Sequence, residues 1–377
     1  MRIAINCRLL IPEKLEGVGW YIYETTKRMI EQHPKDTFIL LFDRKPAENL
    51  LDYPNVIKVH VPPKSQHPFW IRIWLDYLMP RKLKKLNPDI FLSADGCNSY
   101  RLKIPTYLII HDLAYLHYPG SIDSIQLSFY QNNTPKYIKK ASGLGTVSEY
   151  SRADLAEQFS LNPDYIDLIP NGCKRSFRPL NKEKKNEVRI KYNIPKPYFI
   201  YAGSIHPRKN TVNLIRAYNH FRTRGHLTHD LVIAGRKAWM FDLFEQEYER
   251  SPFKKDIHLT GHLGEHEMAE IMGTAECLVY PSYFEGFGVP LLEAMYSEIP
   301  IITSNKSSMP EVAGKAAILI DPQNPQEIGA AMYKLAKHPE LAKELVDQGR
   351  EKKKDYDWDQ SAYLLYRALK RTAMEKR

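Results

Sequence analysis

The feature that most constrains this chain is an alternation. Short apolar runs of strand length are separated by longer stretches whose apolar residues recur at helical spacing. Candidate strands are Arg2–Asn6, Thr37–Phe42, Val56–Val61, Asp89–Leu92, Thr106–Ile110, Gly145–Val147 and Ile166–Ile169. A second series runs through Tyr198–Ala202, Asp230–Ala234, Ile257–Leu259, Cys277–Tyr280, Pro300–Thr303 and Ala317–Ile320. Helical spacing fills Thr211–Phe221, Glu265–Met272 and Pro325–Lys337. This pattern predicts an α/β fold with parallel sheets covered by helices on both faces. Between the series, Pro170, Pro179, Pro195 and Pro197 stand near Lys182, Lys184 and Lys185, which suits an exposed connection. A chain of 377 residues is too long for one core of ordinary size. Two Rossmann-like domains are therefore expected, 1–172 and 173–358, with a last helix in 359–377. Open parallel sheets bind ligands beyond the carboxyl ends of their strands, so two such sheets joined by one linker predict a cleft between them.

Composition narrows the class of partner. The formal net charge of +10 points to an anion, whether nucleotide phosphate, nucleic acid or an acidic membrane face. Cys7, Cys97, Cys173 and Cys277 lack the paired spacing of a zinc site or redox dithiol, which fits a reducing, cytoplasmic setting. The opening Met1–Cys7 reads as a strand and not as a signal peptide. No apolar run reaches the roughly 20 residues needed to span a bilayer, so any contact with the inner membrane face is peripheral.

The loops after the strands carry the chemistry. The string Tyr280-Pro-Ser-Tyr-Phe-Glu-Gly-Phe-Gly-Val-Pro-Leu-Leu-Glu-Ala-Met295 reads as a strand end, a glycine-bearing loop and a helix starting near Val289. Pro290 suits a first helical turn, and the free N–H groups of such a turn attract phosphate. Glu285 lies in the loop and Glu293 about one turn into the helix, so both can face one ligand. Upstream, Tyr201-Ala-Gly-Ser204-Ile-His-Pro-Arg208-Lys209-Asn210 places two cations after another strand, a guanidinium fork beside a compact ammonium. Ile110-His111-Asp112 ends a strand of the first half. Glu16-Gly17-Val18-Gly19-Trp20-Tyr21 opens a helix after the first strand, but Ile22 replaces the third glycine of a dinucleotide fingerprint.

Together these strings resemble the family 4 glycosyltransferases of GT-B fold, also known as glycosyl transferase group 1. The Glu285-to-Glu293 signature, the Pro-Arg-Lys-Asn loop, His111-Asp112 and the Gly17/Gly19 loop match in order. So do Thr146–Ser151, Ile169–Gly172 and Ser308–Val312. The resemblance implies two facing Rossmann-like domains, the first on the acceptor side and the second holding the nucleotide sugar. It also implies a last helix that crosses back onto the first domain, with Trp358 as its anchor. Glu285 would then bond the donor sugar's hydroxyls, Glu293 the ribose, and Phe287, Gly288 and Val289 the sugar and diphosphate through backbone. Arg208 and Lys209 would hold the diphosphate, and His111 would lie against the sugar. Gly17 and Gly19 would close over the donor, Ser204 would belong to the donor site, and Arg236 and Leu263 would lie near the base.

The implied reaction moves a hexose, from GDP-mannose or a UDP-hexose, to a glycan or lipid-linked acceptor with retention and without a metal or resident cofactor. Asp355-Tyr-Asp357 and Asp357-Trp-Asp359 match metal-motif spacing but precede the last helix and read as capping acids. Other classes stay open. They are a GT-B-like sugar-nucleotide epimerase, a glycosidase using Glu285 and Glu293 as its paired acids, and a basic nucleic-acid-binding protein. The aromatic and basic stretch Pro68–Lys82 reads either as an anionic-membrane surface or as a buried helix with a basic end.

Overall fold

The computed structural model describes residues 1–11, 15, 17–225, 227–237 and 241–375. Within it the chain divides into two compact units, Met1–Asn171 with Trp358–Arg377, and Gly172–Asp357.

The first unit holds seven strands, β1 (Arg2–Asn6), β2 (Thr37–Phe42), β3 (Val56–His60), β4 (Ile90–Ser93), β5 (Thr106–Ile109), β6 (Gly143–Thr146) and β7 (Ile166–Leu168). All pair in parallel, in the order β3-β2-β1-β4-β5-β6-β7. The central strands β4 and β5 are buried along their whole length, while the edge strand β3 is not. That is the signature of a sheet covered on both faces, and it is why these strands read as unbroken apolar runs. Order reverses between β1 and β4, so the loops after these strands splay apart there and leave a crevice.

The last helix, Trp358–Met374, belongs to this first unit. Its face of Trp358, Ala362, Leu365, Ala368, Leu369 and Ala373 is buried, and Ser361 Oγ donates to the Pro170 carbonyl at 2.6 Å. It begins at Trp358, one residue before the expected boundary. Trp358 also stacks edge-on with Tyr21, ring centroids 5.8 Å apart. Strand β6 begins at Gly143, two residues before the apolar run starts. A Cβ there would lie 2.6 Å from both Thr372 Oγ1 and the Tyr107 ring, so glycine is what lets the helix settle on the sheet. Asp359 pairs with Arg28 and Asp355 with Lys352.

Pro68–Leu86 forms two α-helical segments, Pro68–Ile73 and Met79–Leu86, joined by a π-helical turn over Trp74–Leu78. Ile71, Trp74, Leu75, Met79 and Leu83 face inward, and Trp74 Nε1 donates to the Val61 carbonyl at 2.8 Å. Burial accounts for that one face only.

The second unit holds six parallel strands, β8 (Tyr198–Ala202), β9 (Asp230–Ala234), β10 (Ile257–Gly261), β11 (Cys277–Tyr280), β12 (Ile301–Ser304) and β13 (Ala317–Ile320). Their order is β10-β9-β8-β11-β12-β13, which places the reversal between β8 and β11. These are the strands whose loops carry Arg208-Lys209 and Glu285. Helices form where caps permit. Asn324 accepts from the Glu327 N–H at 3.2 Å ahead of Pro325–Lys337, and Ser148 from the Ser151 N–H at 3.0 Å ahead of Glu149–Phe159. Among the described residues no helix is long and apolar enough to cross a membrane.

Candidate active site

In the second unit the β8 and β11 loops are tied into one structure. After β8, Gly203 donates to the Ala234 carbonyl at 2.9 Å, and Ile205 N–H donates to the Arg236 carbonyl at 2.9 Å. The β8 and β9 ends touch so closely that a Cβ on Gly235 would sit 1.7 Å from the Gly203 oxygen. The chain then makes a 3-10 turn over Pro207–Lys209, capped by His206, whose Nδ1 accepts from Arg208 N–H at 3.2 Å. Asn210 follows at φ 61°, a left-handed conformation that asparagine tolerates better than most residues. Its buried amide donates to the Pro281 carbonyl at 2.9 Å and the Pro322 carbonyl at 2.6 Å. The Arg208 carbonyl in turn accepts from Tyr283 N–H at 3.0 Å and Ser282 Oγ at 3.2 Å.

This bracing aims both cations at Glu285. Lys209 Nζ pairs with Glu285 Oε1 and donates to Tyr280 Oη at 2.8 Å. Arg208 Nη1 lies 3.3 Å from Glu285 Oε2 and also donates to the Phe284 carbonyl. Oε1 further accepts from Tyr280 Oη at 3.0 Å and Ser282 Oγ at 2.6 Å. The cationic side chains are 19% and 15% exposed. Burial would push the Glu285 carboxyl up, but the charges of Lys209 and Arg208 and the bonds from Lys209 and Ser282 outweigh it and hold it at about 2. Glu285 is ionised at neutral pH. Two cations against one carboxylate leave the group with a net positive charge in a partly desolvated place, where charge acts strongly.

The helix that begins beside this group supplies backbone donors. Gly288 precedes Val289–Tyr296 at φ 97°, and a Cβ on it would approach Met309 Cε to 2.6 Å. Glycine is therefore required twice, by conformation and by space. Val289 and Pro290 open the helix, whose first N–H groups have no partner within it. Ser308 Oγ donates to the Glu285 and Phe287 carbonyls at 2.9 and 3.0 Å, and Ser307 Oγ accepts from Glu285 N–H at 3.1 Å. One turn into the helix, Glu293 is buried, and among the described residues its carboxylate makes no hydrogen bond. Burial raises its pKa, opposed by Lys174 and reinforced by Glu265. Of the remaining expected donor contacts, Ser204 is half-buried in the β8 loop, Arg236 is exposed after β9, and Leu263 is half-buried after β10.

In the first unit, Gly17 starts the helix Gly17–Gln32 with open space where a Cβ would go. A Cβ on Gly19 would lie 2.9 Å from the Leu9 carbonyl oxygen. Gly19 is thus fixed by close packing and Gly17 is not. Glu16 lies outside the described residues. His111 follows β5, with Nε2 3.0 Å from the Ala94 carbonyl oxygen. Since a carbonyl only accepts, Nε2 carries the proton and Nδ1 keeps its lone pair. Burial lowers the His111 pKa, against opposing effects of the Ala94 bond and of Asp112 and Asp95, which favours the neutral ring. The ring meets Tyr21 edge-on at 4.8 Å, and Ser151 Oγ donates to the His111 carbonyl at 3.0 Å.

The fold thus brings Arg208, Lys209, Glu285, Gly288 and Val289 together at one switch point, while Gly17, Gly19 and His111 belong to the other unit's strand ends. Sequence reasoning gave no role to Gly235, Ser307 or Ser308, and none to Asn210 beyond its place in the basic loop. Gly235, directly after the buried run of β9, was the one visible signal.

Both halves of the chain are similar to known proteins. Residues 15–176 match the family described as Glycosyltransferase Family 4, and residues 184–352 match Glycosyl transferases group 1. The chain is similar to the O-antigen chain mannosyltransferase B of Escherichia coli, 26% identical over 250 residues, which cover 66% of each chain. It is also similar to the O-antigen chain mannosyltransferase RfbU of Salmonella typhimurium, 25% identical over 233 residues, 62% of this chain and 61% of that one. It therefore spans slightly less than two thirds of the length of these relatives. The sucrose-phosphate synthase of Thermosynechococcus elongatus has the same fold, with a TM-score of 0.80 at 16% identity and full coverage of both chains. With one family pattern in each half and this two-sheet architecture, the chain belongs to the family 4, group 1 glycosyltransferases of GT-B fold.

Proposed function

We propose that this chain transfers a hexose from a nucleotide-diphosphate sugar to a glycan or lipid-linked sugar, with retention and without a metal. The observation that carries this reading is the Arg208–Lys209–Glu285 group beside the helix start at Gly288–Val289. Breaking the bond between the sugar's anomeric carbon and the diphosphate leaves the electron pair on the leaving oxygen. Fixed positive groups that meet this growing charge lower the barrier. Lys209, Arg208 and the helix N–H groups fill that role, with Glu285 Oε1 holding Lys209 in place and Oε2 available to a sugar hydroxyl. Glu293 takes the ribose hydroxyls as the donors its carboxylate lacks. The acceptor hydroxyl attacks from the face the diphosphate is leaving, and its proton passes to a diphosphate oxygen, which balances the step.

Mannose from GDP-mannose is the first donor to test, because the O-antigen relatives are mannosyltransferases. Purified protein is screened for thermal stabilisation by GDP- and UDP-sugars, and then for nucleoside diphosphate release with and without a glycan acceptor. Release that requires acceptor supports transfer. Epimer formation with no release indicates the epimerase, and glycan hydrolysis without nucleotide indicates the glycosidase.

A further inference from the structure

We propose that the groove between the open edge of β7 and the last helix binds an extended acidic segment of a partner protein. β7 is the last strand in the order of its sheet, so no strand pairs with its outer side. Ile169 N–H donates to the Thr146 carbonyl at 2.8 Å, towards β6. Backbone groups alternate in direction along a strand, so the N–H and carbonyl of Leu168 point to the open side. An edge of this kind is a template for a further extended chain. The last helix runs beside β7 in the opposite direction, with Arg371 paired to Asp167 at 2.6 Å and Ser361 bonded to the Pro170 carbonyl. Between strand and helix lies a groove of about 780 Å³.

The helix wall of the groove is cationic. Tyr363, Arg367, Arg371 and Met374 follow one another at steps of three or four residues, which keeps them on one face, and Lys370 stands beside them. All five are exposed. Arg371 is matched by Asp167, which also accepts from Tyr107 Oη at 2.7 Å, and it lies 4.0 Å from Glu375. Arg367 lies 5.6 Å from the Tyr363 ring centroid, and among the described residues neither it nor Lys370 makes an ion pair. The groove therefore joins two unmatched cations to an outward main-chain donor and acceptor. Strand addition supplies partners for the second and carboxylates for the first. Tyr363 and Met374, 48% and 61% exposed, give apolar contact at its two ends.

Dimensions and charge choose the occupant. From Tyr363 to Met374 the helix rises about 16 Å, the reach of about five extended residues. Alternate side chains of an extended segment share a face, so acids two residues apart both meet Arg367 and Lys370. A second copy of this chain fits poorly, because a symmetric pair would set these cations against their own counterparts. Nucleic-acid phosphates would meet the cations but carry no N–H for the Leu168 carbonyl.

The test is fluorescence anisotropy of a labelled, end-capped peptide, Val-Glu-Val-Glu-Val, with the full chain and no nucleotide sugar, so that the outcome is independent of the transferase reading. Saturable binding is expected, and none for the counterpart with Lys in place of Glu. Arg367→Gln with Lys370→Gln should weaken binding about five- to tenfold. Both side chains are exposed, so this variant should keep the parent's thermal unfolding. Leu168→Pro removes the outward N–H, a change that edge strands tolerate, and should weaken binding about fivefold. N-methylation of alternate peptide amides leaves the protein untouched, and one of the two possible sets should weaken binding about fivefold while the other does not. The proposal is overturned by no saturable binding, by equal binding of the Lys peptide, by undiminished binding of the double Gln variant, or by equal effects of the two methylated sets. It is equally overturned if inorganic pyrophosphate or single-stranded DNA displaces the labelled peptide more readily than the unlabelled peptide does.

Discussion

Lys209→Ala is the sharpest perturbation of the proposed site, because two consequences of different kind can be worked out. The first is chemical. Removing one fixed donor from a developing anion typically costs about 2.7–4 kcal/mol, which corresponds to a loss of about two to three orders of magnitude in turnover. The second concerns Glu285. Breaking a buried ion pair by removing one partner costs about 3–5 kcal/mol when the remaining charge is stranded. Here Arg208, Ser282 and Tyr280 still reach the carboxylate, so the loss should be well below that range and the fold should survive. Lys209 is also the strongest of the influences holding the Glu285 pKa down, so the pKa should rise. A carboxylate with a folded pKa of about 2 and an ordinary value of 4.5 contributes stability above 4.5 that is lost as pH falls towards 2. The variant should therefore lose less stability than the parent over that acid range. The assay is acceptor-dependent nucleoside diphosphate release, with thermal unfolding followed from neutral pH down towards pH 2. A near-normal kcat, or an unchanged acid loss of stability, refutes the reasoning.

Glu293→Gln removes a buried, donor-poor carboxylate whose pKa is raised by burial. Its charge disfavours the folded state above that raised value, so Tm at neutral pH should rise by about 2–4 °C, for about 1 kcal/mol. Donor affinity, read by calorimetry, should fall about ten- to a hundredfold as a charged hydrogen bond to the ribose is lost; a lower Tm counts against this account. Gly235→Ala should cost about 3 kcal/mol or more, because the added methyl collides with the Gly203 carbonyl. A thermal scan within a degree of the parent would show that the β8 and β9 ends can part. Activity is expected to persist in excess EDTA, and full loss restored by added Mg²⁺ would replace the Arg208–Lys209 account with a metal-based one.

Much of the fold was legible because both sheets are parallel and covered. Strands such as β8 and β11 are buried end to end, and burial on both faces writes an unbroken apolar run into the sequence. Boundaries drifted where a distant element decides them. β6 begins at Gly143, where Tyr107 and Thr372 leave no room for a side chain, and nothing local in the sequence records either neighbour. Strand order was not legible at all, yet it matters most to the site. The sequence offered Arg208-Lys209 and Glu285 as separate loops, and only the β8–β11 adjacency makes them one ionic group. The family resemblance gave Glu285 to the hydroxyls of the donor sugar. Three of its contacts, Lys209, Tyr280 and Ser282, converge on Oε1, so holding the ammonium is an equally direct use of that residue. Asn210 and Ser308 stand in strings the sequence analysis singled out, but their bracing roles were not legible there, for a related reason. Both reach across to other loops, Asn210 to the carbonyls of Pro281 and Pro322 and Ser308 to those of Glu285 and Phe287. A polar residue after a strand looks the same in sequence whether it meets water or holds a loop at its one working angle. Rigidity of this kind is what a diphosphate site needs, since a donor group held in place meets the developing charge without first having to reorganise.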